Sequence, residues 1–167
     1  MALTTTQLQT LKADIFSRAI QAQPEQTIAN TYNANASPTF TVWRTLVTEA
    51  EIYSTPDSAA AFWSWTSYIA RSQGERDGWR EMFGVDGSVN TSLANVRQGM
   101  VDIFSGAQNN APAQRTFLSN KSKRLASVAE KLFADTSGGN GAAATPATLA
   151  FEGSLTIFDI QAALAVA

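Results

Sequence analysis

From Pro112 to Ala134 the chain runs PAQRTFLSNKSKRLASVAEKLFA, the longest uninterrupted helical pattern in the sequence. Asn110 offers an N-cap, and Pro112 falls in the first turn, where its missing N–H leaves no bond unmade. Phe117, Lys121, Leu125, Val128 and Leu132 recur at helical spacing, and Leu118 and Phe133 widen that side. Asp135 and the glycine-rich run behind it end the pattern. One helix over 112–134 would measure about 34 Å, enough to cross a small domain. The expectation is a post against which the other helices lean, with Leu125 at the centre of the bundle.

Length sets the frame for that bundle. At 167 residues one domain is the default, and such a chain buries roughly 70% of its unfolded surface without metal or disulfide. Cysteine and histidine are both absent. That removes cysteine nucleophiles, histidine bases and most zinc, copper and haem sites, although carboxylates could still hold magnesium or calcium. No cofactor is expected. Lack of cysteine fits a reducing compartment.

The formal net charge is −2, and only 16% of residues are charged, against about a quarter in ordinary domains. No basic face emerges that would hold nucleic acid by phosphate contacts alone. A surface filled with Ala, Thr, Ser, Asn and Gln suits permanent contact with other subunits, and equally a plain extracellular domain. The opening MALTTTQLQTLKAD carries no charged start followed by an apolar run, so no signal peptide is expected. No stretch approaches the ~18 apolar residues of a membrane span.

Taken in order, Thr4, Thr5 and Thr6 offer a cap for an amphipathic helix over about 6–22, with Leu8, Leu11 and Ile15 in its stripe. Pro24 opens a second short helix, and NANASP over 33–38 is a loop. Residues 39–53 mix β-branched content with helical spacing, and the helix is favoured. Pro56 or Asp57 starts a helix through Arg71, and the Ser72-x-x-Glu75 capping box starts the next, which Gly84 closes. VDGSV over 85–89 is a tight loop. Asn90 or Thr91 caps a helix carrying Leu93, Val96, Met100, Ile103 and Phe104. Residues 135–147 form a small-residue flexible loop, and Thr156-x-x-Asp159 caps a last apolar helix. The fold class is therefore all-α: a single-domain bundle over 1–134 around one long helix, a loop, and a C-terminal segment over 148–167. The only place for a short extended piece is near 148–152.

Each chemical constellation has a plainer structural reading. The run Gly138-Gly139-Asn140-Gly141 lacks the Lys-Ser/Thr of a phosphate loop and follows a helix where a strand is required. Glu75, Asp77 and Glu81 alternate with Arg76 and Arg80, the pattern of a solvated helix face. Five cations on the long helix, Arg115, Lys121, Lys123, Arg124 and Lys131, spread around it. Surface or subunit contact is favoured over DNA, with Arg115, Lys123 and Arg124 as the charged contact surface. Phe62, Trp65, Tyr68 and Ile69 share one side of their helix while Trp63 points roughly 100° away. Trp63 is accordingly a candidate interface residue. So are Phe151, Leu155 and Phe158, because the apolar C-terminal segment must either fold back on its own bundle or strap onto a neighbour. No catalytic, cofactor-binding or metal-binding residue is assigned.

Three stretches carry a resemblance: WREMFG at 79–84, NTSLANVRQGMVDIFSG at 90–106, and SKRLASVAEKLFA at 122–134 with TPATLAFEGSLTIFDIQAAL at 145–164. Together they resemble small helical virion proteins encoded among the head and tail genes of tailed bacteriophages, of which the head–tail adaptor or connector of the neck is nearest. The resemblance implies a non-enzymatic subunit, made in the host cytoplasm and located in the virion. It implies self-assembly into a ring beneath the portal, of about twelve copies if it matches one, with closed heterologous contacts. Portal and tail or neck proteins would be its partners, DNA would pass through without sequence-specific contact, and no membrane would be involved. Other readings are a head-completion or tail-associated protein, or a small nucleic-acid-binding helical module.

Overall fold

Five Ser/Thr-x-x-Glu/Gln/Asp capping boxes decide where helices begin: Thr4–Gln7, Thr48–Glu51, Ser72–Glu75, Ser127–Glu130 and Thr156–Asp159. In each, the hydroxyl accepts from the N3 amide while the N3 side chain accepts from the cap amide, so two orphan donors are satisfied together. The computed structural model describes residues 2–54 and 62–167. Among these the helices are α1 (Thr5–Ser17), α2 (Glu25–Asn33), α3 (Glu49–Tyr53), α4 (Trp65–Ile69), α5 (Gln73–Phe83), α6 (Ala94–Ile103), α7 (Ala111–Lys121), α8 (Val128–Leu132) and α9 (Ile157–Ala165). The strands are β1 (Thr41–Trp43), β2 (Val47–Thr48), β3 (Ser88–Val89), β4 (Lys123–Leu125), β5 (Ala134–Asp135) and β6 (Thr148–Leu149). They pair as three two-stranded antiparallel sheets, β1 with β4, β2 with β3 and β5 with β6.

The all-α bundle is thereby corrected: helix accounts for 49% and strand for 11% of the described residues. The long helix over 112–134 is two helices with a strand between them. Ser122 caps α7, its hydroxyl donating to the Leu118 carbonyl at 2.8 Å. Beyond it the backbone finds partners elsewhere. Ser122 O accepts from Arg44 N at 2.9 Å, Ala126 N donates to Phe40 O at 2.8 Å, and Val128 N donates to Ala34 O at 2.9 Å. The Ser127–Glu130 box then starts α8 afresh. Leu125, expected at the bundle centre, is 49% exposed. The helix favoured over 39–53 is also corrected to β1, β2 and the single turn or so of α3. The expected start of a helix at Pro56 or Asp57 lies outside the described residues; α4 itself is capped by Ser64.

The chain divides into two compact units, one made of 1–42 and 125–167, the other of 43–124. In the first, α9 packs against α1 and α2, with Ile160 and Ala163 buried among Leu11, Ile15 and Ile28. The Asn33 carboxamide clamps the approach to α9, donating to Leu155 O at 2.9 Å and accepting from Leu155 N at 2.8 Å. The C-terminal segment has therefore folded back on its own unit. The small-residue stretch over 135–147 carries backbone bonds to its own unit. β5 and β6 pair Ala134 with Leu149 and Asp135 with Thr148. Within the loop, Gly141 O accepts from Thr41 N at 2.7 Å, and Ala147 N donates to Thr41 O at 3.0 Å.

In the second unit the core is aromatic. Trp79, Phe83, Phe104 and Phe117 are buried with Ile52 and Trp63. Trp63 precedes the α4 cap, so it lies outside the helix. Its ring turns inward to stack on Trp79, with centroids 5.1 Å apart and planes at 28°. β2 and β3 pair Val47 with Val89 and Thr48 with Ser88.

Two substitutions separate this fold from the long-helix alternative. Leu125→Ala should shift stability by under ~0.5 kcal/mol, as at exposed sites, whereas Ile160→Ala should cost about 2–5 kcal/mol in urea unfolding. Gly141 sits at φ +81° with the Phe40 ring where a Cβ would be. Gly141→Ala should cost about 1–3 kcal/mol by the same measurement, from backbone strain and overpacking together.

Candidate functional site

The chain turns sharply before α6 because Asn90 Oδ1 accepts from both the amide and the hydroxyl of Ser92, at 2.9 and 2.6 Å. Helix α6 begins after this turn, with Leu93 at its N-cap, rather than at Asn90 or Thr91. The turn directs Thr91 inward, where it is fully buried. Its hydroxyl donates to Arg44 O at 2.8 Å, with Ser122 O at 3.3 Å as a second acceptor. The carbonyls of Thr91 and Ser92 then both accept from Arg97 Nη1, each at 2.7 Å. So anchored, the Arg97 guanidinium lies 4.0 Å from the centroid of the Trp43 ring, and Lys123 Nζ lies 5.6 Å from the same ring. Burial pushes the Arg97 pKa down from its ordinary value. An arginine starts so high that it stays charged.

Arg115 reaches across from α7 to the end of α6. Its Nη1 donates to Phe104 O at 2.5 Å and to Gly106 O at 2.8 Å, neutralising carbonyls that the helix end leaves without partners. Between the two arginines lies a cleft of about 180 Å³. Trp43 and Ser119 stand at its sides, Met100 and Leu118 form a buried apolar floor, and Val101, 42% exposed, is at its edge.

The electrostatics of this cleft are unusual for an acidic protein. No carboxylate lines it. Among the described residues neither Arg97 nor Arg115 forms an ion pair, and each bonds to protein through Nη1 only. Nε and Nη2 of both guanidiniums are left as donors, in the fork geometry that fits a carboxylate. The arrangement offers no nucleophile beside a base; what it can do is hold an anion next to an apolar group.

A depression in the other unit makes the contrast. There Arg18 Nε meets Asp14 Oδ2 at 2.5 Å, and the Tyr32 hydroxyl donates to the same oxygen at 2.6 Å. The bond to Asp14 raises the Arg18 pKa, and burial followed by the Asp14 bond raises that of Tyr32. Arg18 is thus neutralised by its own chain, while Lys131, the other cation of this lining, stands 5.7 Å from the Phe40 ring centroid. Of the acidic residues on α5, Glu75 is the capping-box carboxylate, held below its usual pKa by Ser72, and Asp77 lies 3.6 Å from Arg80. Among the described residues no three potential metal ligands cluster, and no helix is long and apolar enough to cross a membrane.

Of the residues singled out in sequence, Arg115 enters the cleft and Lys123 flanks its tryptophan, while Arg124 is half-buried on β4 outside the lining. Trp63, Phe151 and Leu155 are 3%, 4% and 3% exposed, inside the cores of their own units. Phe158 stands out from α9 at 72%. Sequence reading missed Arg97 and Trp43. The available signal was the Asn-Thr-Ser turn before α6, whose carbonyls anchor Arg97. No family model matches the sequence, and no curated protein or solved structure matches it either.

The buried Thr91 hydroxyl holds this arrangement together. Thr91→Val should take its donor from the Arg44 carbonyl, while Ser122 O keeps the Arg44 N–H, and lower stability by about 1–3 kcal/mol, read from urea unfolding followed by tryptophan fluorescence.

Proposed function

We propose that the protein is a structural subunit of a tailed-phage virion, a head–tail adaptor of the neck, and not an enzyme. The observation that carries this reading is the surface. Among the described residues nine large apolar side chains are at least 42% exposed, including Phe16, Leu46, Trp65, Ile69, Val85 and Phe158. With only 16% charged residues around them, such side chains are suited to burial against neighbouring subunits. The stretches resembling phage neck proteins support the same reading. They fall on the end of α5, on α6 with its preceding turn, on the β4–α8 break, and on β6 and α9. In this role the subunit assembles with copies of itself into a ring closed by rotation. Portal protein lies on one side and tail or neck proteins on the other, and DNA passes without specific contact.

Disrupting the gene in its parent phage tests the assignment. Electron microscopy should then show DNA-filled heads and separate tails. Heads that leak their DNA would favour a head-completion role, and normal tailed particles would overturn the virion assignment.

A further inference from the structure

We infer that the Arg97–Arg115 cleft is a docking site for an acidic segment of a partner protein, taking one apolar side chain of that segment with a neighbouring carboxylate. The inference does not rest on the neck assignment and can be tested on the isolated protein.

Charge complementarity decides what covers the cleft. The stretch 97–124 carries Arg97, Arg115, Lys121, Lys123 and Arg124 against the single carboxylate Asp102. Inside the cleft two guanidiniums stand without an ion-pair partner among the described residues. Backbone carbonyls hold each of them in place, so a bound carboxylate would not have to order them first. The floor between them is Met100 and Leu118, which reward an apolar group and give a phosphate nothing.

Size decides between a small molecule and a side chain. Sites for cofactors and drug-sized ligands run from about 300 to 1,000 Å³. This cleft, at about 180 Å³, has room for one large apolar side chain. Recognition of an acidic motif by clustered arginines with one buried anchor is a known mode of peptide binding. Nucleic acid fits less well, because its backbone needs a track of cations over several phosphates. Here Arg97 and Arg115 are tied down beside an apolar floor.

The test uses the full chain and a short fluorescein-labelled peptide with Asp-Phe-Asp at its centre, followed by anisotropy. Two control peptides carry Asn-Phe-Asn and Asp-Ala-Asp at the same place. Binding by the first should be saturable and at least ~10-fold weaker for either control. Val101→Glu places a carboxylate at the exposed edge, where it can occupy the arginines without disturbing the core. It should weaken the first peptide ~10-fold or more while circular dichroism stays unchanged. Arg115→Gln should do the same, but it also removes a helix-end contact, so Val101→Glu is the deciding variant. No saturable binding, equal binding of all three peptides, or indifference to Val101→Glu would each overturn the inference. Labelled oligothymidylate binding more tightly than the peptide, and lost in Val101→Glu, would assign the cleft to nucleic acid instead.

Discussion

Between Ser122 and Val128 the backbone bonds to distant parts of the chain rather than to its own preceding turn. Ser122 gives its carbonyl to Arg44, Ala126 pairs with both Phe40 and Ala36, and Val128 donates to Ala34. The residues here are ordinary helix formers, Lys, Arg, Leu and Ala, and nothing in their local preference demands an extended path. The partners outvote the preference. Once Ser122 is spent on Arg44, its carbonyl is turned toward β1 and the Thr91 hydroxyl can share it. Thr91 thus ties the Asn90–Ser92 turn, and with it the carbonyls that hold Arg97, to the end of α7.

The two arginines of the cleft show how a sparsely charged chain can still present concentrated charge. Both are held by backbone carbonyl dipoles, which fix their geometry and leave their formal charge intact. The aromatic face of Trp43 adds a further attraction of about 0.5–2 kcal/mol to Arg97 without cancelling its charge. Asp14 does the opposite for Arg18, closing that cation off within its own chain. Each depression is lined by two cations; a carboxylate, Asp14, lines one of them and none lines the other.

Much of the helical architecture was legible in the sequence. The capping residues Thr4, Ser72 and Thr156 mark true starts, Pro24 precedes α2, and Gly84 ends α5 with a positive φ. The failures share one cause. Periodicity over 112–134 is real on both sides of the break, and a short strand inside it leaves the apolar count intact. The legible signal was the Ser127-x-x-Glu130 box, a start signature inside what reads as a helix. β6 falls within the one place left for an extended piece, 148–152; the other strands escaped notice because each spans only two or three residues, too few for alternation to register, and their partners lie far along the chain. Of the candidate site, Arg115 was visible as a charged residue. Its pairing with Arg97 was not, because it depends on where α6 ends relative to α7.

The first unit is built from both ends of the described chain, with 43–124 inserted between its halves. During synthesis this imposes an order. Residues 43–124 can complete their own aromatic core soon after they emerge. Leu11, Ile15 and Ile28 must wait for Ile160 and Ala163 before theirs can close. At translation rates of about 5–20 residues per second, the stretch from Leu125 to α9 takes a few seconds to appear. Until then α1 and α2 carry an uncovered apolar stripe; the Thr4–Gln7 box holds the start of α1, while α2 opens at Pro24 with no side-chain cap.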